Sequence, residues 1–533
     1  MAGPTRLAEI VATSNAVRET SSRLEKRARL QELFARLAPA DLRLAASYLA
    51  GETARGSVQV GWSTLVAAER AVAEPDVLPL FANVQPAGPI ATQSPTLVEV
   101  DRAFETLRHV SGAGATKKKQ AILQGLMAPM APDERRFLGA LLVGELRQGA
   151  LRALVLEAVA DAFVVEAEDL RRAVMFAGSL GTVLERLASE GGASLTRFAP
   201  RAGIPVEPML AAQAEELESA LQKMGERVAV EWKLDGVRVQ VHRCGAEVRI
   251  FTRQLRDVTA LAQDAVEFAR HLEVESVILD GELIGLDAGG RPVAFQDLMS
   301  RFAREAKPVA DETIVRLVPM FFDVLEHDGS AWVGRTYAER RQLLERLLPS
   351  PNLVPQRVVG SAPEARTMYD EALAAGHEGV VLKQLDATYT AGRRGAGWCK
   401  VKPAVTLDLV ILAAEWGHGR RQGFLSNLHL GARDPENPDR FHMLGKTFKG
   451  LSDQMLRDMT ADLLSLEARR EGHVVHVRPV RVVEIAFDGV QRSPHYDSGF
   501  ALRFARVKRF RPDKSAGEAN TLDDVRALHA SRR

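Results

Sequence analysis

Cysteine is nearly absent from this chain: 2 residues in 533, Cys244 and Cys399. That excludes a disulfide framework and a four-cysteine zinc site. No uninterrupted apolar run approaches the ~18 residues that a membrane span needs. The opening MAGPTRLAEIVATSNAV has no basic start backed by a long apolar core, so no secretory leader is expected. Net charge is low too, +1 at pH 7. A polyanionic partner is therefore not advertised by bulk charge and has to be sought in local patches. Internal repeats are missing. What remains is a chain expected to be soluble and cytoplasmic, without a membrane partner, and long enough for roughly three or four domains.

Three regions differ in pattern. Residues 1 to about 200 carry helical periodicity. In LEKRARLQELFARL, Leu24, Leu30, Leu33, Phe34 and Leu37 share one stripe, as an amphipathic helix requires. RRAVMFAGSLGTVLERLASEG reads as a helix stopped by its final glycine. Two basic clusters stand out. ATKKKQAIL holds Lys117, Lys118 and Lys119, either a solvated helix end or a phosphate-facing patch. GELRQGALRALVLEAV sets Arg147 between glycines just before an apolar helix, a place where a helix N-terminus can grip a phosphate. Pro200, Pro205 and Pro208 then mark a boundary. From about 206 to 403 the pattern mixes strands (VRVQVHR, VRIFTR, SVILDGELIGL, RLVPMFFDVLEHDG) with helices (TYAERRQLLERLL, APEARTMYDEALAAG), an α/β or α+β domain. Beyond 403, short strands with turn signals fit a small β-barrel of about OB-fold size. The tail after Arg511 is expected to be flexible.

Candidate chemistry concentrates in the middle region. EWKLDGVRVQVHR places Lys233 among Glu231, Asp235 and Arg238, at the start of an alternating strand. A lone lysine there would pass as a strand-edge residue. Downstream, however, ILDGELIG offers Asp280 and Glu282, FFDVLEHDG sets Phe322 beside Asp323, GHEGVVLK holds Glu378 and Lys383, and GWCKVKP holds Lys400 and Lys402. The last two are two apart and so share a strand face. Each motif is weak alone; their joint order is specific.

In that order the segment from Lys233 to Lys402 resembles the covalent nucleotidyltransferases, the superfamily of DNA ligases, RNA ligases and mRNA capping enzymes. KLDGVR is similar to their nucleotide-accepting motif. ALRFARVKRFRPDKSAGEANT, with Arg509, Arg511, Asp513 and Lys514, is similar to their final motif. The helical region resembles the DNA-binding domain of three-domain ATP-dependent DNA ligases. The resemblance implies a multidomain fold: an all-α DNA-binding domain over 1–205, an α+β adenylation domain over 206–403 and an all-β OB-fold domain over 404–533. It implies sealing of nicked duplex DNA by a chain expected to be a monomer, with ATP and Mg2+ (or Mn2+).

Residue by residue, the resemblance makes Lys233 the nucleophile on the α-phosphorus of ATP, forming a lysyl-AMP phosphoramidate. Such an amine attacks in its neutral form. Partial burial and the cations Arg238, Lys400 and Lys402 are therefore expected to push its pKa below the ordinary ~10.4. The resemblance assigns Glu231 to the adenine, Phe322 to stacking on it, Glu282 to the ribose and a metal, and Glu378 to the metal. Arg253 falls near the ribose or the nicked strand. Arg394 touches the nucleotide, with its role and that of Arg393 not divided. Arg509 and Arg511 orient the departing pyrophosphate. Lys117, Lys118, Lys119 and Arg147 are placed on DNA. Phe321 or Phe322 has to belong to the core. The rival readings are an RNA ligase and a non-catalytic DNA clamp; NAD as the adenylyl donor is disfavoured by the missing four-cysteine module.

Overall fold

The computed structural model describes residues 4–53, 58, 60–72, 94–112, 114–146, 152–214, 216–225, 227–287, 292–293, 298, 316–390, 394–403, 405–417 and 421–530. Among them, ten α-helices run from Leu7–Glu19 to Leu180–Glu190 and share one apolar core that includes Leu7, Phe34, Tyr48, Phe104 and Leu184. Leu30, Leu33 and Phe34 of the expected stripe are buried, but Leu24 is 76% exposed. It lies in the first turn of Arg23–Arg36. The stretch RRAVMFAGSLGTVLERLASEG is two helices rather than one: Ala167–Ala177 ends at Gly178, whose φ is 62°, and Ser179 caps the next helix through the Thr182 amide. A left-handed glycine followed by an N-cap serine resets the helix axis.

The middle region has two five-stranded sheets. The first contains β1 (Leu210–Ala214), β2 (Val228–Lys233), β8 (Gln356–Val359), β9 (Gly379–Gln384) and β10 (Arg394–Val401), in the order β1-β10-β9-β2-β8. The second contains β3 (Val237–Cys244), β4 (Glu247–Thr252), β5 (Ser276–Leu286), β6 (Arg316–His327) and β7 (Ser330–Ala331), in the order β4-β3-β5-β6-β7. Alternation gives each sheet an apolar and a polar face. Val228 and Val230 pack with Ala365, Met368 and Tyr369 of helix Ala362–Ala374. Val239, Val241, Leu279 and Phe321 pack with Val266 of helix Gln263–Arg270 and with Leu343 and Leu344 of helix Tyr337–Leu347. The intervening residues, charged to an unusual degree, gather into the site described below.

The C-terminal region is β-rich. Its long strand β11 (Val405–Trp416) pairs with β12 (Leu425–Arg433) on one side and with both β15 (Val474–Val477) and β16 (Val482–Phe487) on the other. β13 (Phe441–Thr447), β14 (Glu467–Glu471) and β19 (Arg506–Phe510) complete a seven-stranded sheet, and β17 (Gly489–Arg492) forms a ribbon with β18 (Phe500–Arg503). The tail is not loose throughout: Leu522–Ala530 is a helix, with Leu522 and Val525 buried in this region's core. Two apolar residues three apart supply the contact that the expectation of a flexible tail overlooked. Among the described residues, no helix is long and apolar enough to cross a membrane.

The proline-marked segment is fastened to the middle region. Gln240 exchanges two hydrogen bonds with the backbone of Val206, and the Gly203 amide donates to Nδ1 of His242 at 3.2 Å. His242 is 1% exposed, and burial holds its imidazole down to about 3. It is neutral in both folded and unfolded chains above pH ~6.5. As pH falls below that value the unfolded chain takes up a proton that the folded one refuses, and stability declines by up to ~1.4 kcal/mol per pH unit. Urea midpoints measured from pH 7.5 to 5.5 should therefore fall less steeply in His242→Gln than in the wild type.

Candidate active site

The charged residues face one another across the cleft between the two middle sheets. On β2, Glu231 and Lys233 are two apart; Lys400 of β10 is level with Glu231 through Val381 of β9, and Lys383 and Trp398 are one step along, level with Ala229. From the second sheet come Arg238, opposite Glu282, and Phe322 beside them on β6.

Lys233 ends β2. Its ammonium pairs with Glu378, which also meets Lys402 at 2.7 Å. The Glu378 amide donates to the Lys233 carbonyl at 3.0 Å. Burial works against the Lys233 cation, but the charges of Glu378, Glu282 and Asp235 and the hydrogen bond to Glu378 outweigh it, and its pKa is raised. That corrects the expected downward shift: the nearest charges to the amine are carboxylates, not the cations named from the sequence. Burial raises the Glu378 carboxyl, but Lys233 and Lys402 prevail and hold it at about 2. Burial and the Glu378 charge push Asp235 up to about 6. Glu282 rises to about 7, mainly through burial, with Glu378 and Asp280 adding to it against Lys233 and Arg238. Burial, and the charges of Lys402 and Lys233, lower Lys400.

Arg238 does not lend a free positive field to the cleft. It grips Asp280 with two hydrogen bonds of 2.7 and 3.1 Å and donates to the Met209 carbonyl at 2.7 Å. Tyr389 donates to the same Asp280 at 2.6 Å. Glu231 is 2% exposed and saturated: Lys383 meets it at 2.6 Å, Arg341 at 3.7 Å, and the Tyr337 hydroxyl donates to it. Lys383 lies over the rings of Trp398, Phe322 and Tyr337 at 4.2, 4.6 and 4.7 Å. Phe321 is fully buried in the core, whereas Phe322 is half-buried, with Lys383 and Arg238 over its ring.

Several candidates lie elsewhere. Arg253 is exposed on the turn after β4, where its amide donates to the Arg238 carbonyl. Arg509 pairs with Glu484 at 2.6 Å, and Arg511 with Asp408 and Asp513 at 2.9 and 2.8 Å; these pairings stay within the C-terminal region. Lys402 follows β10 by one residue. Lys117, Lys118 and Lys119 occupy the first turns of helix Ala115–Met127, with Lys117 and Lys118 exposed. Arg147 and Arg393 lie outside the described residues, and Arg394 is placed only as the first residue of β10.

Sequence reasoning assigned no role to Asp280, Lys383, Trp398, Tyr389 or Tyr337. The available signal was a charge inside an apolar strand: a lysine ending VVLK, or an aspartate in VILDG, demands a buried partner.

Three stretches of the chain match known families. Residues 6–160 match the DNA ligase N terminus, 208–402 the ATP dependent DNA ligase domain and 421–514 the ATP dependent DNA ligase C terminal region. A probable DNA ligase of Anaeromyxobacter sp. (strain Fw109-5) is 48% identical over 526 residues, 98% of each chain. The chain belongs to the ATP-dependent DNA ligase family. A probable DNA ligase of Saccharopolyspora erythraea is 44% identical over 528 residues, covering 99% of this chain and 98% of that one. A solved structure named Pmar-Lig_Pre shares the fold, with a TM-score of 0.58 and 18% identity over 94% of this ligase and 99% of that chain. Membership makes this an ATP-using DNA ligase, in a family that seals nicks through adenylation, and sets aside the RNA-ligase and inert-clamp readings.

The glycines of the ligase's motifs are steric. A Cβ on Gly236 would collide with the Leu283 carbonyl and the Glu282 side chain. Gly379 has φ +135° and lies against the Val401 carbonyl. Gly236→Ala should thus force the β2–β3 turn off β5 and cost about 1–3 kcal/mol of stability. Gly334→Ala, where nothing lies within 4 Å, should shift the urea midpoint little.

Proposed function

We propose that Lys233 is the residue adenylated, and that AMP passes from it to the 5′-phosphate of a nick before the 3′-hydroxyl displaces it. The observation that carries this is the position of Lys233: a half-buried amine ending β2, under the charges of Glu378, Glu282 and Asp235, with Lys400 and Lys402 on the same side of the cleft. In the first step the amine attacks the α-phosphorus of ATP, the N–P bond forms and pyrophosphate leaves. Attack needs the neutral amine, so Lys233 has to give up its proton and its pairing with Glu378. Lys400 and Lys402 then face the developing phosphate charge. Phe322 offers a ring to the adenine and Glu282 hydrogen-bond acceptance to the ribose, while Glu231 meets the base only by giving up one of its partners Lys383, Arg341 and Tyr337. Arg238 holds the wall of the nucleotide site through Asp280.

Among the described residues, no group of three or more His, Cys, Asp or Glu is arranged to hold a metal alone. That suits Mg2+ (or Mn2+), which binds through one or two carboxylates together with substrate phosphates. Glu378 and Glu282 fit as its protein ligands, because adenylation removes the Lys233 charge and leaves crowded carboxylates to be neutralised. Such an ion supplies charge stabilisation at the transferring phosphorus.

The region assignments complete the reading: a helical DNA-binding domain over 1–205, an adenylation domain over 206–403 and an OB-fold over 404–533. The protein is read as a monomer acting in the cytoplasm. Lys117, Lys118 and Lys119 crowd a helix N-terminus, where cations oppose the helix dipole; DNA phosphates relieve that repulsion. Arg147 joins them on DNA, and Arg253 and Arg394 lie at the nucleotide or the nicked strand. Phe448 and Phe504 are 55% and 60% exposed, and Lys449 and Arg503 lie near the Phe504 ring; the two cations suit the phosphates of the duplex. Arg509 and Arg511 serve the first step only, after rotation about the joint at Pro403 brings them to the pyrophosphate.

The test is sealing of a nicked duplex with ATP. Wild type should give sealed strand and a transient 5′-adenylated strand, and Lys233→Ala neither; sealing by Lys233→Ala from ATP would overturn the assignment. Lys117→Ala with Lys118→Ala should lower the slope of log affinity against log salt by about 0.9 per lysine, at equal cost for every nick sequence. Phe322→Ala should raise the ATP KM about tenfold at a smaller stability cost than Phe321→Ala, which should lose about 3–5 kcal/mol.

A further inference from the structure

Lys402 has two acidic neighbours, and they come from different regions. Glu378 of the cleft lies 2.7 Å from its ammonium; Asp488, between β16 and β17 of the C-terminal region, lies 3.6 Å from it. Asp488 is not on a loose loop. Its amide donates to the Arg503 carbonyl at 2.9 Å, closing the β17–β18 ribbon where Gly489 pairs with Arg503. Arg503 in turn acts on Asp235, two residues past Lys233. The ribbon therefore reaches the mouth of the cleft with a carboxylate aimed at the cations proposed to meet the triphosphate. Lys400 feels the same carboxylate.

A carboxylate in that position suits one half of the reaction cycle. ATP brings several negative charges to Lys400 and Lys402, and Asp488 would repel them. After pyrophosphate has left, only the α-phosphate remains, and Lys402 has charge to spare. While AMP is held on Lys233 its ammonium is a phosphoramidate, so Glu378 has lost one of its two partners and depends on Lys402; once AMP has passed to the nick the lysine is an amine again, and there is still no triphosphate to compete with Asp488. We propose that Asp488 is a positioning residue for the steps after pyrophosphate release, pinning Lys402 and the C-terminal region against the cleft and withdrawing when a triphosphate enters. The proposal rests on the nucleotide reading above and extends it to the order of events: the docked ribbon is the arrangement for working on DNA, and ATP and Asp488 compete for one lysine.

The experiment compares wild type, Asp488→Asn and Asp488→Glu in two single-turnover assays: labelling of the protein by ATP carrying a labelled α-phosphate, without DNA, and sealing of a nick supplied already adenylated. Asp488→Asn should label at the wild-type rate or faster, yet seal the pre-adenylated nick about tenfold more slowly, the loss expected of one interfacial charge pair. Asp488→Glu should recover most of the sealing. Added ATP should inhibit sealing of the pre-adenylated nick by Asp488→Asn at lower concentrations than it inhibits wild type. Equal losses in both assays would make Asp488 a merely structural residue, and unchanged sealing would make the contact idle; either result overturns the proposal. Failure of wild type to label at all would instead overturn the nucleotide reading beneath it.

Discussion

Charges buried between two sheets have to be paired, and most of this ligase's middle region is arranged to satisfy that demand. Arg340 and Asp323, both fully buried, join helix Tyr337–Leu347 to β6 through hydrogen bonds of 2.7 and 3.0 Å. Arg238 and Asp280 join β3 to β5 across the register. Lys383 and Glu231 do the same between β9 and β2. Breaking one such pair leaves a naked charge and costs about 3–5 kcal/mol, even though a pair contributes little beyond what apolar packing would. Such pairs are better explained by geometry than by stability: each fixes the height and rotation of a strand whose neighbouring residue points into the cleft.

The cleft itself lacks that saturation. Glu378 is shared between two ammonium groups, Asp235 and Glu282 are pushed upward by burial and by the Glu378 charge, and Lys402 reaches out to another region of the chain. The contrast between fully matched pairs behind the pocket and a frustrated cluster at its mouth is what a group-transfer site requires. The scaffold must not move, while the reacting charges have to exchange partners as phosphate arrives and leaves. Glycine serves the same end, since a side chain at Gly236 would collide with the backbone of β5 and one at Gly379 with the end of β10.

Much of this was legible in the sequence because alternation is a strong signal. VRVQVHR, SVILDGELIGL and RLVPMFFDVLEHDG are strands β3, β5 and β6, and the charges interrupting them marked the cleft. Pairing is non-local and was hidden. Arg238 looked like a free cation because Asp280 lies 42 residues away. The pKa of Lys233 was misjudged because Glu378, 145 residues on, reaches the amine before Lys400 does. Glu231 gave no hint that Tyr337 and Arg341, both on one helix, would close around it. In the helical region the stripe read correctly at Leu30, Leu33 and Phe34 and failed at Leu24, since periodicity states which residues share a face but not how much of that face a neighbour covers.

The most direct test of the central claim is the site of the adduct. The protein is incubated with ATP in the absence of DNA and digested, and the AMP-bearing peptide is located by mass spectrometry. The account predicts AMP on Lys233 alone, in a bond stable to hydroxide and cleaved by acid, as a phosphoramidate is. AMP on Lys383, Lys400 or Lys402, or an adduct that survives acid, would contradict it.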